Sequence, residues 1–278
     1  MPGAPIHPLG PTDLTACLQL ASSRDWAQET EKWRLLLATG QGYGVRDEHG
    51  RLVASVMLSR YDTSLAVIGM LLVHPSAARQ GLGRRLMTYA LEQARPATVS
   101  LYATEEGQPL YEQLGFHVAD TIATYRGRWA APPGEHSPSR VFTEHDLPRV
   151  AALDRIVFGA DRRAFLAALL AQSDRARLLE RGGEVVGYGL AWRNVDTVHL
   201  GPLVARGDEA AQVLIAELAA GRLRPLRLDV SAEHAALGAW LVGQGLARVD
   251  HTPHMVLGDR SLPGVRAHLY AISMQAAG

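Results

Sequence analysis

This chain has almost nothing with which to cross-link itself, cross a membrane or hold a polyanion. It contains one cysteine, Cys17, in 278 residues. That excludes an internal disulfide and any cysteine-built zinc cluster. No apolar run reaches the ~20 residues of a membrane-spanning helix; the densest stretch, residues 66–73, is strand-sized. Neither sign of charge is in excess, because 28 basic residues meet 28 acidic ones. A broad surface for nucleic acid or an anionic membrane needs a basic surplus, so neither partner is expected. Lysine and asparagine occur once each, as Lys32 and Asn194, a bias of codon usage or growth temperature with no bearing on function. The opening residues Met1-Pro2-Gly3-Ala4-Pro5 carry no charged leader or apolar segment, so a soluble, cytoplasmic protein is the expectation. What remains, 47% apolar and 20% charged, is the composition of a globular protein. A mass of 30.1 kDa exceeds what one core usually carries and favours two domains.

The break between them is written in the sequence. Trp129-Ala130-Ala131-Pro132-Pro133-Gly134-Glu135-His136-Ser137-Pro138-Ser139 can form neither a helix nor an interior strand, so residues 129–140 are predicted to be a linker. It leaves one domain at 1–128 and another at 141–278. The halves echo each other: the charged turn at Gly50 recurs at Gly183, 133 residues on, and Leu114-Gly115-Phe116 recurs as Gln244-Gly245-Leu246, at a spacing of 130. Two features with matching spacing predict a duplication. In the first half the apolar periodicity predicts helices over 12–21, 26–38, 81–94 and 109–114. Strands are predicted over 42–45, 52–59, 66–73, 98–102 and 116–125. Helix 81–94 carries Leu86, Met87, Ala90, Leu91 and Ala94 on one stripe, and Pro96 stops it. The second half is read as helices 147–158, 163–170, 209–218 and 235–242 with strands at 198–204, 225–230 and 249–257. Both are mixed α/β sheets.

The chemistry lies in Val73-His74-Pro75-Ser76-Ala77-Ala78-Arg79-Gln80-Gly81-Leu82-Gly83-Arg84-Arg85-Leu86. A buried strand ends at a proline, and two glycines open a strong helix. The first turn of a helix offers free N–H groups and the positive end of its dipole. Glycines let an anion reach those groups, and Arg79, Arg84 and Arg85 add charge. Physically this is a diphosphate cradle. It is neither a Walker loop nor the three-glycine dinucleotide fingerprint. Downstream stands a second segment, Leu101-Tyr102-Ala103-Thr104-Glu105-Glu106-Gly107-Gln108-Pro109-Leu110-Tyr111-Glu112-Gln113-Leu114-Gly115-Phe116.

Together the two segments resemble the GCN5-related N-acetyltransferase (GNAT) superfamily of acyl-CoA-dependent transferases, over residues 5–128. The resemblance implies acetyl-CoA as co-substrate and no metal. It implies that the backbone of Leu71, Leu72 and Val73 pairs with the pantetheine arm. It further implies that Ala78, Arg79, Gln80, Gly81, Leu82, Gly83 and Arg84 wrap the pyrophosphate, that Thr104 is a further cofactor-binding position, and that Tyr111 sits beside the thioester sulfur. Two positions depart from the family pattern: Ala78 replaces an Arg or Gln, and Thr104 stands where asparagine is common. In the implied reaction a primary amine of a small molecule attacks the thioester directly, and a backbone N–H at the end of the Val73 strand stabilises the carbonyl oxygen. Tyr111, a phenol of ordinary pKa about 10, is the general acid to a thiolate of pKa about 8.5. No general base is readable. His74, Asp62 and ordered water all remain open. A non-catalytic acyl-CoA-binding protein and a protein N-acetyltransferase are the alternatives.

In the second half, Ala205-Arg206-Gly207-Asp208-Glu209 stands where the cradle should be. Acids at that helix start would repel a diphosphate. Aligning Gly245 with Gly115 sets Leu241 in the place of Tyr111. A degenerate copy is therefore expected, and Gly201-Pro202-Leu203-Val204-Ala205 resembles the tandem transferases related to the YitH and HolE proteins. Trp192, Arg193, Asn194 and His199 are candidates for the acceptor side. His234, His251 and His254 match no firm ligand spacing, so no metal is expected there.

Overall fold

A computed structural model describes residues 4–95, 97–131 and 138–278. The helix stop expected at Pro96 and the body of the linker, residues 132–137, lie outside the described residues. The first half runs β1 (Ile6–Leu9), α1 (Leu14–Ser22), α2 (Thr30–Thr39), β2 (Gln41–Arg46), β3 (Leu52–Tyr61), β4 (Leu65–Val73), α3 (Leu82–Ala94), β5 (Thr98–Tyr102), α4 (Gln108–Gln113) and β6 (Phe116–Gly127). The second repeats that order as β7 (Arg140–Val141), α5 (Leu147–Phe158), α6 (Arg163–Gln172), β8 (Ser173–Arg181), β9 (Glu184–Asn194), β10 (Thr197–Ala205), α7 (Asp208–Ala219), β11 (Leu226–Ser231), α8 (Ala235–Gly243) and β12 (Leu246–Leu257). A short β13 (Leu269–Ala271) follows. The helix expected over 26–38 begins only at Thr30. Asp25 takes a left-handed conformation (φ +58°) and the Trp26 N–H turns back to Ala21 O at 3.1 Å, so the preceding residues form a turn.

All thirteen strands belong to one sheet, in the order β1-β2-β3-β4-β5-β12-β6-β11-β10-β9-β8-β7, with β13 on β10. The halves have exchanged their last strands. β12 of the second half lies between β5 and β6, and β6 of the first lies between β12 and β11. Their antiparallel register runs from Leu246 opposite Gly127 to Leu257 opposite Phe116. Each half therefore supplies a strand that the other half's sheet needs.

Alternation along the strands sorts the core onto two faces. Leu65 and Val67 of β4 point to one face, Ala66 and Ile68 to the other. The first face is a single core common to both halves, where Trp33 and Leu36 of α2 join Phe158 of α5, Leu166 of α6 and Trp192 of β9. The opposite face holds two separate cores. Leu86, Met87 and Ala90 of α3 cover the first half, and Leu214, Ile215 and Leu218 of α7 cover the second. Among the described residues no helix is long and apolar enough to cross a membrane.

Candidate active site

β4 and β5 run side by side only from Leu65 opposite Thr98 to Ile68 opposite Leu101. Beyond that point they part. The cause is local: between Ser55 and Met57 the β3–β4 register shifts, so that Met70 and Leu71 together face Val56. Met70 is left-handed (φ +50°), and its carbonyl accepts a hydrogen bond from Ser55 Oγ at 3.1 Å. A bulge of this kind bends the strand that carries it. Past the bulge, the His74 N–H donates to Val53 O at 2.8 Å, toward β3. Since N–H groups alternate sides along a strand, those of Val73 and Leu71 face the gap.

The gap opens into a groove of about 460 Å³. Its far wall is the start of α3. Gly81, left-handed at φ +76°, leads into the helix; no side chain caps it, and no acidic residue stands in its first turn. The first intrahelical bond is Arg85 N–H to Gly81 O at 3.0 Å, so the N–H groups of Leu82, Gly83 and Arg84 are not used by the helix. A Cβ at Gly83 would meet only ordinary neighbours, Leu110 Cδ2 at 3.7 Å and Val73 Cγ2 at 3.8 Å. The protein's own packing therefore does not require glycine there. Arg79 is exposed, Arg84 donates to Gln113 Oε1, and Arg85 turns away to Ala4 O.

Tyr111, on α4, closes the groove at the other end. It is 8% exposed, and burial pushes its phenol up to about 12. Its ring lies over Gly107, where a Cβ would come within 3.0 Å of the hydroxyl oxygen, and meets the edge of Phe116 at 6.1 Å. Thr104 Oγ1 accepts the Gly107 N–H at 3.2 Å and so holds the turn that enters α4.

Leu71, Leu72, Val73, Ala78, Arg79, Gly81, Leu82, Gly83, Arg84, Thr104 and Tyr111 thus border one groove, while Gln80 does not line it. Sequence reasoning missed Arg24, Trp26, Glu106 and Leu110, which also border it. Arg24 pairs with Glu106 at 2.6 Å and ties the α1–α2 turn to the entry of α4. Starting the second helix at Trp26 hid that residue's place in the turn; the run Arg24-Asp25-Trp26 between two apolar periods was the available signal.

The four residues expected on the acceptor side are elsewhere. Trp192 and His199 are buried and stacked on each other at 5.0 Å, inside the core. Asn194 donates to Glu29 Oε1 at 2.6 Å and joins the two halves, while Arg193 reaches Asp174 at 3.3 Å. The strand exchange explains this. β12, β6 and β11 stand between β5 and β10, a separation of about 19 Å at ordinary strand spacing. Burial also pushes His199 down to about 4, although Asp229 lies 3.9 Å away. Among the described residues no group of three or more His, Cys, Asp or Glu is placed to hold a metal ion.

The second half has the same gap, and the chain fills it. β10 shifts register between Leu200 and Leu203, and it pairs with β11 only at Val198 and His199. Beyond that point β13 pairs with β10, with Ala271 opposite Leu203 and Leu269 opposite Val204. Ile272 N–H then bonds Asp229 O of β11 at 3.0 Å. Tyr270 donates its hydroxyl to Asp208 Oδ1 at 2.7 Å, at the start of α7. Leu241, the counterpart of Tyr111, is fully buried.

A strand pair splayed beside an uncapped, glycine-led helix mouth is the architecture of an acyl-CoA-dependent transferase, open in the first half and filled by the chain in the second. The chain belongs to the GNAT family of N-acetyltransferases. Residues 12–116 match the acetyltransferase (GNAT) family and residues 150–271 the acetyltransferase (GNAT) domain. It is 30% identical over 270 residues, 95% of either chain, to the uncharacterized N-acetyltransferase YitH of Bacillus subtilis. A crystal structure from Pyrococcus horikoshii has the same fold (TM-score 0.77, 22% identity, 99% of this chain and 96% of that one). So does a tandem GNAT protein from the clavulanic acid biosynthesis pathway (TM-score 0.64, 17% identity, 92% of this chain and 99% of that one). The protein is a tandem GNAT of the YitH type, and such enzymes transfer acyl groups from acetyl-CoA.

Proposed function

We propose that the first half binds acetyl-CoA in the β4–β5 groove and transfers its acetyl group to the primary amine of a small molecule. The observation that carries this reading is the uncapped start of α3 facing an open strand edge and a buried tyrosine across one groove. The pyrophosphate would lie against the N–H groups of Leu82, Gly83 and Arg84, with Arg79 adding charge. The pantetheine amides would pair with the free edge of β4 at Leu71 and Val73. Once bound, acetyl-CoA supplies an activated acetyl thioester. The amine attacks its carbonyl carbon and gives up a proton to water in the groove, and a backbone N–H at the splayed end of β4 that the pantetheine leaves free stabilises the charge that grows on the carbonyl oxygen.

Tyr111 donates a hydrogen bond to the sulfur as it leaves. A phenol at about 12 stays protonated throughout the working pH range. Full transfer to a water-exposed thiolate of pKa about 8.5 would be uphill. Burial acts on thiols in the same direction, however: Cys17, buried in this same protein, is pushed up to about 12 as well. Burial of a thiolate in the groove moves its pKa toward that of the phenol, which favours proton transfer along the hydrogen bond, and the phenol regains its proton from solvent. The second half takes no CoA in this scheme, because β13 occupies its gap and Asp208 and Glu209 stand at its helix start.

The test is thiol release from acetyl-CoA with a panel of small primary amines and with peptides. Wild type should turn over small amines, and Tyr111→Phe should lower kcat by about 10- to 100-fold with CoA affinity unchanged. Equal turnover by Tyr111→Phe across the pH range removes its assigned role. Saturation by peptides alone would instead make this a protein N-acetyltransferase.

A further inference from the structure

Away from the groove, a cavity of about 350 Å³ lies on the shared face of the sheet. Its floor is a row of side chains contributed by four strands of both halves: Tyr102 of β5, His254 of β12, Asp120 of β6 and Ser231 of β11. The chain that follows β12 roofs it with Leu262 and Arg266. It sits at the C-terminal end of β11, beside the gap that β13 fills.

The polar groups of this wall are unevenly used: Glu233, Asp259 and Arg260 line it from exposed positions, whereas Asp120, His254 and Arg266 are more buried. Asp120 is satisfied, since Ser231 Oγ and the Thr121 N–H each donate to it at 2.7 Å. Arg266 is not. Its Nε donates to Pro263 O at 3.0 Å, but Nη2 is shut off from solvent and has no hydrogen-bond partner among the described residues. The guanidinium lies 4.5 Å over the ring of Phe158, which it shares with Arg162 at 3.8 Å. The carboxylate nearby, Asp154, is already held by two bonds of 2.8 Å from Arg162. Arg162 also donates its Nη1 to Gly278 O at 2.9 Å, so Arg162 is fully engaged, whereas Arg266 has no carboxylate of its own in direct contact among the described residues. His254, 4% exposed and stacked on Tyr102 at 4.2 Å, likewise has a buried Nε2 with no partner among the described residues. Burial pulls Arg266 down to about 10, the direction of a cation lacking compensation. An interior charge left without a partner is costly, and an anion beside it relieves that cost.

We propose that this cavity binds a small carboxylate, whose oxygens supply the counter-charge missing beside Arg266, with Tyr102 and His254 as further polar partners. The volume, at the low end of small-molecule pockets, suits a compact acid rather than a nucleotide. The second half would then keep a seat for a small molecule beside a gap that is closed to the thioester.

Calorimetric titration of the full chain with succinate, glutamate and benzoate, each to about 10 mM, tests this, with sodium chloride as the control anion. At least one acid should bind with Kd below about 1 mM. Arg266→Gln should weaken that binding tenfold or more, and Leu262→Trp, which fills the cavity and leaves Arg266 in place, should abolish it. The site is disproved if none of the three acids gives saturable heat, or if binding survives Leu262→Trp. Should Arg266→Gln fail to fold, Leu262→Trp decides alone. The readout is binding without acetyl-CoA, so its failure leaves the transferase reading untouched, and the reverse holds too.

Discussion

Gly83→Ala separates what the fold needs from what the ligand needs, because the two effects have opposite signs. In the protein, the added methyl would stand 3.7 Å from Leu110 Cδ2 and 3.8 Å from Val73 Cγ2, ordinary van der Waals separations. No neighbour has to move. Gly83 lies in the first turn of α3, and replacing a helical glycine by alanine stabilises by up to about 1 kcal/mol. Melting should therefore rise by about 1–3 °C. Binding should move the other way. A phosphate oxygen must come within about 2.9 Å of a backbone N–H to form a charge-assisted bond, and a methyl on that residue bars the approach. Losing one such bond costs about 1.5–3 kcal/mol, a roughly 10- to 150-fold weaker Kd for CoA. Differential scanning fluorimetry and calorimetric titration with CoA on the same preparation read both. A variant that melts no lower than wild type yet binds CoA within threefold of it would refute the placement of the diphosphate at this helix.

Three further outcomes follow from the geometry. Gly107→Ala puts a Cβ within about 3 Å of the Tyr111 ring, so it should lower kcat as Tyr111→Phe does while leaving CoA affinity intact; unchanged kcat would show that the tyrosine's position does not matter. His199 and His254 are held at about 4 and about 3 by burial, below the unfolded value of about 6.5. The unfolded chain thus binds the extra protons, and stability that is complete above pH 6.5 should fall by roughly 4 kcal/mol by pH 5, in denaturant titrations whose slope against pH His199→Gln should halve; a flat profile from pH 7.5 to 5 would contradict this. Residues 1–131 expressed alone lack β12, which in the full chain covers both β5 and β6. They should not give a soluble species with cooperative unfolding, and a monomer that melts cooperatively would contradict the mutual dependence of the halves.

The groove was legible in the sequence because its determinants are local. Gly81, Gly83, Arg79 and the Val73 strand end fall within one strand–loop–helix unit, and Tyr111 follows on the next helix. Helix α5 was legible to its bounds, since Pro148 sits in its first turn and Gly159, left-handed at φ +83°, ends it. The strand exchange was not. β6 and β12 carry similar patterns, and which neighbour each pairs with is a long-range choice that alternation does not encode. β13 is three residues long and has no periodicity to read. Trp192 and His199 looked like a site because an aromatic and an imidazole so often are one; here they stack in the core and satisfy each other's packing instead. Trp26 was lost for a plainer reason. The apolar spacing of α2 continues back to Trp26, but the turn that follows the left-handed Asp25 delays the helix to Thr30.

The exchange and β13 together explain why a duplicated fold would retain a single thioester groove. Both halves build a bulged strand whose free edge needs a partner. In the first half, β12 covers the outer edge of β5, which leaves the inner gap beside β4 as the place where an extended ligand can add main-chain bonds. In the second half that partner is β13, attached to the chain and so present at an effective concentration that a dissolved ligand does not match. Its Tyr270 hydroxyl also engages Asp208 at the helix mouth, the position at which Gly81 and Gly83 leave the first helix open. Displacing β13 would therefore uncover a carboxylate, not an anion cradle. In the proposed scheme, giving the second half a CoA site would require changing both features at once, so no single substitution should open one.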